Sequence, residues 1–169
     1  WKICSLRYFN PVGAHPSGLI GEDPIGIPNN LFPFLTQVAI GRQKLLNIYG
    51  DDWDTSDGSG VRDYIHIIDL AEGHLASIDY LNSKDSCLEF INLGSGNGYS
   101  VFEIISQFEI STGCKIPFSI QSRRDGDVAI CYADISKAKK LLGWAPKRSL
   151  EQICLDGWNW QMKNPNGYA

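Results

Sequence analysis

An extended run cut short by Asn10-Pro11 constrains this chain more than any other feature. In Trp1-Lys2-Ile3-Cys4-Ser5-Leu6-Arg7 the apolar residues alternate with one slip, which is the period of a strand. Asn10-Pro11 is expected to turn the backbone out of the sheet into a loop, because proline has no N–H for a ladder and restricts the residue before it. Open α/β sheets bind ligands where strands end in such loops. Tyr8, Phe9 and Asn10 put two rings and an amide at that edge. Packing is the competing use of the same aromatics, and this stretch alone leaves both uses open.

Beyond the loop the chain alternates between short extended runs and helical patterns. Leu45–Tyr49, the segment Val61–His66, Leu88–Leu93 and Ile116–Ile120 read as extended, the last at a sheet edge because of Pro117. Asn29 or Asn30 is expected to cap a helix whose apolar face is Leu31, Leu35, Val38 and Ala39, with Pro33 in its first turn and Gly41 at its end. A second helix is expected from Ile67 to about Leu81, with Asp69 and Glu72 near the positive end of its dipole. Ser100 and Glu103 form a capping-box pattern for a third that ends near Gly113. Asp134 is expected to cap a short fourth, closed by Gly143. Ser149 and Gln152 open a last helix that Asn164-Pro165 ends. This is an α/β pattern without repeats.

Two loops invite a functional reading and do not sustain it. Gly50–Gly60 is acidic, but Asp57 stands where a calcium loop needs its sharp-turn glycine, and a strand rather than a helix precedes it. Gly94-Ser95-Gly96-Asn97-Gly98 lies between a strand and a helix, yet Tyr99 occupies the third glycine position of a dinucleotide fingerprint.

With 169 residues the chain suffices for one domain with its own core and is short for two. A net charge of -4 argues against nucleic acid as the main partner. No apolar run is long enough to span a bilayer, and the start has no signal-peptide pattern. Cys4, Cys87, Cys114, Cys131 and Cys154 are odd in number and form no C-x-x-C pair, which suits free thiols in the cytoplasm. His15, His66 and His74 lack metal-ligand spacing, so no metal site is expected. The opening in mid-strand and the missing initial methionine suggest a piece of a longer protein.

The polar inventory of the loops is more specific. An arginine fork can hold phosphate oxygens through two N–H groups, and a nearby aspartate can accept sugar hydroxyls. Arg62-Asp63 and Arg124-Asp125-Gly126-Asp127 offer both, and Asn10, Asn29 and Asn30 add amides. Surface ion pairs are the competing explanation. A positioned nucleophile or base is not evident, so no catalytic group is expected among these residues.

Five stretches in this order, Arg7–His15, Gly26–Leu31, Gly60–His66, Asn92–Gly96 and Arg123–Asp127, together with the ending Trp158–Gln161 and Asn164–Tyr168, resemble the C-terminal half of the UDP-glucose 4-epimerase family. That family is a branch of the extended short-chain dehydrogenases/reductases. The resemblance implies the C-terminal part of a Rossmann-like fold, a small mixed sheet with flanking helices. Residues 1–10 would be the last strand region of the Rossmann sheet and residues 11–169 mainly the UDP-sugar-binding domain. The N-terminal NAD-binding domain, with the Tyr-x-x-x-Lys pair and the homodimer helices, would lie outside the chain.

In that family NAD takes a hydride from C4 of a UDP-hexose, and the 4-keto sugar turns before the hydride returns, interconverting UDP-glucose and UDP-galactose. The resemblance sets Tyr8 and Phe9 near the nicotinamide and Asn10 by the diphosphate. Asn29, Asn30 and Leu31 would line the UDP-sugar pocket, and Asn47, Ile48 and Tyr49 would face uracil. Arg62 and Arg124 would hold the diphosphate, and Asp127 the ribose hydroxyls. Cys131 falls where relatives carry a bulky or a small residue beside the sugar, which implies acceptance of UDP-GlcNAc and UDP-GalNAc. On this view the chain alone does not epimerise, and its first strand exposes an apolar flank. The alternatives are a non-catalytic nucleotide-sugar-binding remnant and a related dehydratase or decarboxylase.

Overall fold

Alternation along Tyr64-Ile65-His66 divides the molecule: Tyr64 enters one apolar cluster and Ile65 another. The computed structural model describes residues 1–168. Its strands are β1 (Lys2–Tyr8), β2 (Asn10–Val12), β3 (Leu46–Tyr49), β4 (Val61–Arg62), β5 (Tyr64–His66), β6 (Cys87–Leu93), β7 (Tyr99–Ser100), β8 (Phe118–Gln121) and β9 (Ile130–Cys131). Its helices are α1 (Leu31–Ala39), α2 (Ile67–Asn82), α3 (Val101–Thr112), α4 (Ser136–Leu142) and α5 (Leu150–Lys163). β1 pairs with β6, β2 with β5 and β3 with β8, all parallel. In the mixed three-stranded sheet β4 lies between β7, antiparallel, and β9, parallel.

The first cluster packs α1, β3, α3 and α5 around Phe108, whose ring meets Phe32 and Trp158 edge-on at 6.3 and 5.9 Å between centroids. The second packs β1, β6, α2 and α4, with Ile91, Leu93 and Trp144 buried between them. β5 is the seam shared by both. On the other face of the first sheet, Ile3, Leu88 and Phe90 are exposed, and among the described residues β6 is the only strand beside β1. Parallel sheets are ordinarily covered on both faces, so this is the apolar flank expected from the sequence.

The structure departs from the sequence expectation at four points. Asn10-Pro11 leaves the β1–β6 sheet but does not enter a loop, because Asn10–Val12 forms β2 in a second sheet, against β5. The Asn10 N–H donates to the Asp63 carbonyl at 3.0 Å. Successive N–H groups along a strand point to opposite edges, so the missing donor of Pro11 falls on the edge away from β5 and costs nothing there. Asn30 occupies the N-cap of α1 but makes no side-chain cap bond. Asp134 stands one residue before the N-cap of α4, Ile135, although its Oδ1 accepts the Ser136 N–H at 2.8 Å. The Ser100/Glu103 capping box forms as expected, and Gly113 and Gly143 end their helices with positive φ. At Ser149 only one half of the box forms, from the Gln152 N–H.

His66 pins α2 to α5. Its Nδ1 accepts the Ile68 N–H at 3.0 Å, so the single proton of the neutral ring sits on Nε2 and is donated to Asp156 at 3.1 Å. Burial is the largest influence on His66 and its pKa lies below 6.5, although the hydrogen bond and charge of Asp156 raise it; Arg148 lowers it and Asp69 raises it. A histidine that titrates lower when folded leaves the unfolded chain holding more protons, so stability is lost as pH falls through the unfolded value. The melting temperature is therefore expected to drop between about pH 7 and pH 5.5. His66→Asn keeps a cap acceptor and should flatten that slope in a pH series of thermal melts. An equally steep slope in the variant would show that other groups set it.

Candidate functional site

The carboxyl end of β3, the start of α1, β4 and the turn before β9 surround one cavity of about 450 Å³. β3 alternates, with Leu46 and Ile48 buried and Asn47 and Tyr49 half-buried, so its end presents an amide and a phenol-bearing ring. Asn47 Oδ1 accepts from Ser119 Oγ at 3.0 Å and from Gln121 Nε2 at 3.3 Å, which leaves the amide N–H groups for a ligand. The long loop before α1 delivers Asn29, Asn30 and then Leu31 to the opposite wall.

The charged wall comes from Arg62 and from Arg124-Asp125-Gly126-Asp127. Arg62 on β4 reaches Asp127 at 3.7 Å, and both side chains are partly exposed. The Arg124 guanidinium lies 3.6 Å from the centroid of the Tyr49 ring and has no ion-pair partner among the described residues. Its neighbour Arg123 takes the same posture over Trp53 at 4.1 Å and also holds Asp52 at 2.7 Å, which keeps the Asp52 carboxyl below its usual range. Two guanidiniums thus face the cavity against one carboxylate, an arrangement suited to an anion.

The structure brings together Asn10, Asn29, Asn30, Leu31, Asn47, Ile48, Tyr49, Arg62, Arg124 and Asp127 of the sequence-derived residues. Three others lie outside this lining. Tyr8 is exposed, and its hydroxyl bonds His74 Nε2 at 2.6 Å; Phe9 follows it. Cys131 is exposed on β9, opposite Arg62 in register. Sequence reasoning missed Phe34, Trp53, Tyr64 and Val101, which also line the cavity. For Trp53 a signal existed: an aromatic in an acidic loop has little to pack on unless the loop folds back. It does so here, its Nε1 donating to the Tyr49 carbonyl at 3.1 Å.

A larger, mainly apolar cavity of about 830 Å³ lies between α2 and the loop after β2, lined by Pro11, His15, Ile20, Ile68, His74 and Leu75 among others. Asn30 lines both cavities.

Comparison with known proteins gives these features a context. The family model described as GDP-mannose 4,6 dehydratase matches residues 1–156. The chain belongs to the extended short-chain dehydrogenase/reductase family. It is 54% identical over 169 residues to the UDP-glucose 4-epimerase of Bos taurus, covering 100% of this chain and 48% of the bovine one. To that of Bacillus subtilis it is 54% identical over 169 residues, covering 99% and 49%. The crystal structure of UDP-glucose 4-epimerase from Bifidobacterium longum in complex with NAD+ and UDP superposes with a TM-score of 0.95 at 54% identity, over 99% of this chain and 50% of that one. The chain therefore spans about half the length of the relatives it matches, and its fold is that of the C-terminal part of these short-chain dehydrogenase/reductase structures.

Extended short-chain dehydrogenases/reductases use a Tyr-x-x-x-Lys pair, and that spacing does occur here, contrary to the sequence expectation, at Tyr80 and Lys84. It does not serve the cavity. Tyr80 sits in the last turn of α2, near Cys4, Cys87 and Glu89 at the amino ends of β1 and β6, whereas the cavity lies beyond the carboxyl end of β1. Burial and the neighbouring Glu89 push its phenol upward, the reverse of what a base needs, and Lys84 lies over its ring at 4.8 Å. Nor is the glycine turn open to a pyrophosphate. The Ser95 and Gly96 N–H groups donate to Asp63.

Proposed function

We propose that this chain is the UDP-sugar-binding part of an NAD-dependent UDP-hexose 4-epimerase that interconverts UDP-glucose and UDP-galactose through a 4-keto sugar. The observation that carries the reading is the convergence of amides, an aromatic ring and two arginines from five separate segments on one cavity. In this reading Arg62 and Arg124 bind the diphosphate, with Asn10 beside it. Asn47 and the ring of Tyr49 take the base, Asp127 the ribose hydroxyls, and Asn29 to Leu31 close the sugar side.

NAD, where bound, would supply hydride acceptor and donor chemistry at C4 of the sugar. The residues of this chain fit only the margin of such a site. The glycine turn is spent on Asp63, so the cofactor would be held mainly by a domain outside these residues, with Tyr8 and Phe9 at its edge. The reacting Tyr/Lys pair would lie there too, which is why the chain by itself is expected not to epimerise. The longer protein would be a cytoplasmic homodimer. Its preference among hexoses would turn on Cys131, whose small side chain beside Arg62 leaves room for an N-acetyl group.

Calorimetric titration of the full chain tests this directly. UDP is expected to bind at least about tenfold more tightly than uridine, the margin of one charge-assisted contact. UDP-glucose and UDP-N-acetylglucosamine should bind alike. Equal affinity for UDP and uridine would remove the phosphate assignment, and rejection of the N-acetylated sugar would remove the role of Cys131.

A further inference from the structure

Asp63 is fully buried and absent from the cavity lining, yet it holds segments that adjoin the charged wall. Its Oδ1 accepts the Ser95 N–H at 2.6 Å and the Ser95 hydroxyl at 2.7 Å. Its Oδ2 accepts the Gly96 N–H at 2.9 Å and the Ala133 N–H at 3.1 Å. Its backbone carbonyl takes the N–H of Asn10 at 3.0 Å.

These partners are not arbitrary loops. Ser95 and Gly96 lead into β7, whose Tyr99 is paired with Arg62, and Ala133 follows β9, whose Cys131 is paired with Arg62 from the other side. Both strands that flank Arg62 are thus anchored on the residue next to it. The Arg124–Asp127 turn is the segment just before β9. Gly94 shows how tight the knot is, because a Cβ there would lie 2.5 Å from Asp63 Oδ2. The base end of the cavity has a separate anchor, since the end of β3 is held by β8 and makes no bond to Asp63.

We infer that Asp63 is a positioning residue for the phosphate-facing wall, setting the spacing of Arg62, Asn10 and the Arg124–Asp127 turn without touching the ligand. The inference rests on the reading that the cavity takes the UDP moiety. It makes a selective prediction, because a carboxylate that serves only stability would weaken all ligands together. Asp63→Asn preserves shape but turns an NH2 group toward N–H donors, so one side of the knot opens.

Affinities of the full chain for UDP and for uridine, measured alongside thermal melts, test the inference. Asp63→Asn is expected to weaken UDP about tenfold and uridine by less than about twofold. Asp156→Asn, which removes another buried carboxylate outside the cavity, should lower the melting temperature and leave the UDP-to-uridine ratio as it was. If Asp63→Asn does not fold, Ser95→Ala decides, with a loss of about threefold expected for UDP alone. Equal losses for both ligands, or none, would overturn the positioning role while the wild-type preference for UDP still stood. No preference in the wild type would instead mean that the phosphate reading had failed and this inference with it.

Discussion

Arg124→Ala is expected to weaken UDP binding about thirtyfold and to leave uridine binding unchanged or slightly improved, since a hydrogen-bonded charge contributes about 2 kcal/mol. The two arginines of the cavity are not equivalent. Arg62 already faces Asp127 at 3.7 Å, whereas Arg124 has no carboxylate partner among the described residues and carries the larger share of uncompensated positive charge. Its resting contact is the Tyr49 ring at 3.6 Å, a stack worth about 0.5–1 kcal/mol at an exposed site. Turning the guanidinium toward a diphosphate gives up that stack, so the observed loss on mutation falls short of the full value of the phosphate contacts. The same substitution uncovers the ring that a base would use. Titration of the variant with UDP and uridine at two salt concentrations checks both statements. A loss shared equally by the two ligands would place Arg124 in the structure of the cavity rather than on the phosphates.

The elements with enough length to show a period were legible in the sequence. The strand of Lys2–Tyr8, the helix of Ile67–Asn82 and the capping box at Ser100 stand where side-chain alternation and cap chemistry put them. What could not be read is what depends on a distant partner. β4, β7 and β9 have two residues each, too few for any period, and exist only because they pair with one another. Pro11 seemed to end a ladder, but whether a missing N–H matters depends on which edge meets β5, and that is decided more than fifty residues later in the chain. The site divides in the same way. The amides and arginines that line the cavity were legible as residue types suited to phosphate and base recognition at loop positions. Asp63, flanked by the conspicuous Arg62, reads in the sequence as an acceptor of sugar hydroxyls or as one half of a surface ion pair, and only its burial against three other segments shows that it is neither.

Arg148→Ala should destabilise the fold by about 3 kcal/mol, the lower end of what breaking a buried pair costs. Asp69 was expected to serve the dipole of α2, and it does stand in the first turn, but its side chain is wholly buried. Its Oδ2 takes the Arg148 N–H at 3.0 Å and its Oδ1 the Arg148 guanidinium, whose other nitrogen reaches Glu72 at 2.9 Å. Burial alone would lower the Arg148 pKa, yet the two carboxylates outweigh it and hold the pKa above its ordinary value. Truncation leaves the buried Asp69 carboxylate a single backbone donor, with the helix dipole returning only about 0.3–1 kcal/mol. The Asp69 carbonyl also accepts the Trp144 indole N–H at 3.1 Å, so strain there passes into the second apolar cluster. Lys147 provides the internal contrast. It pairs with Glu72 at 3.0 Å from an exposed position, and Lys147→Ala should cost less than about 1 kcal/mol. Urea unfolding of both single variants and of the Arg148→Ala, Asp69→Asn double variant decides the matter. The double variant should recover part of the loss, because it removes the stranded charge along with its partner. A cost near that of Lys147→Ala would mean that the pair is solvated like a surface one and that α2 is held to α5 by His66 and Asp156 instead.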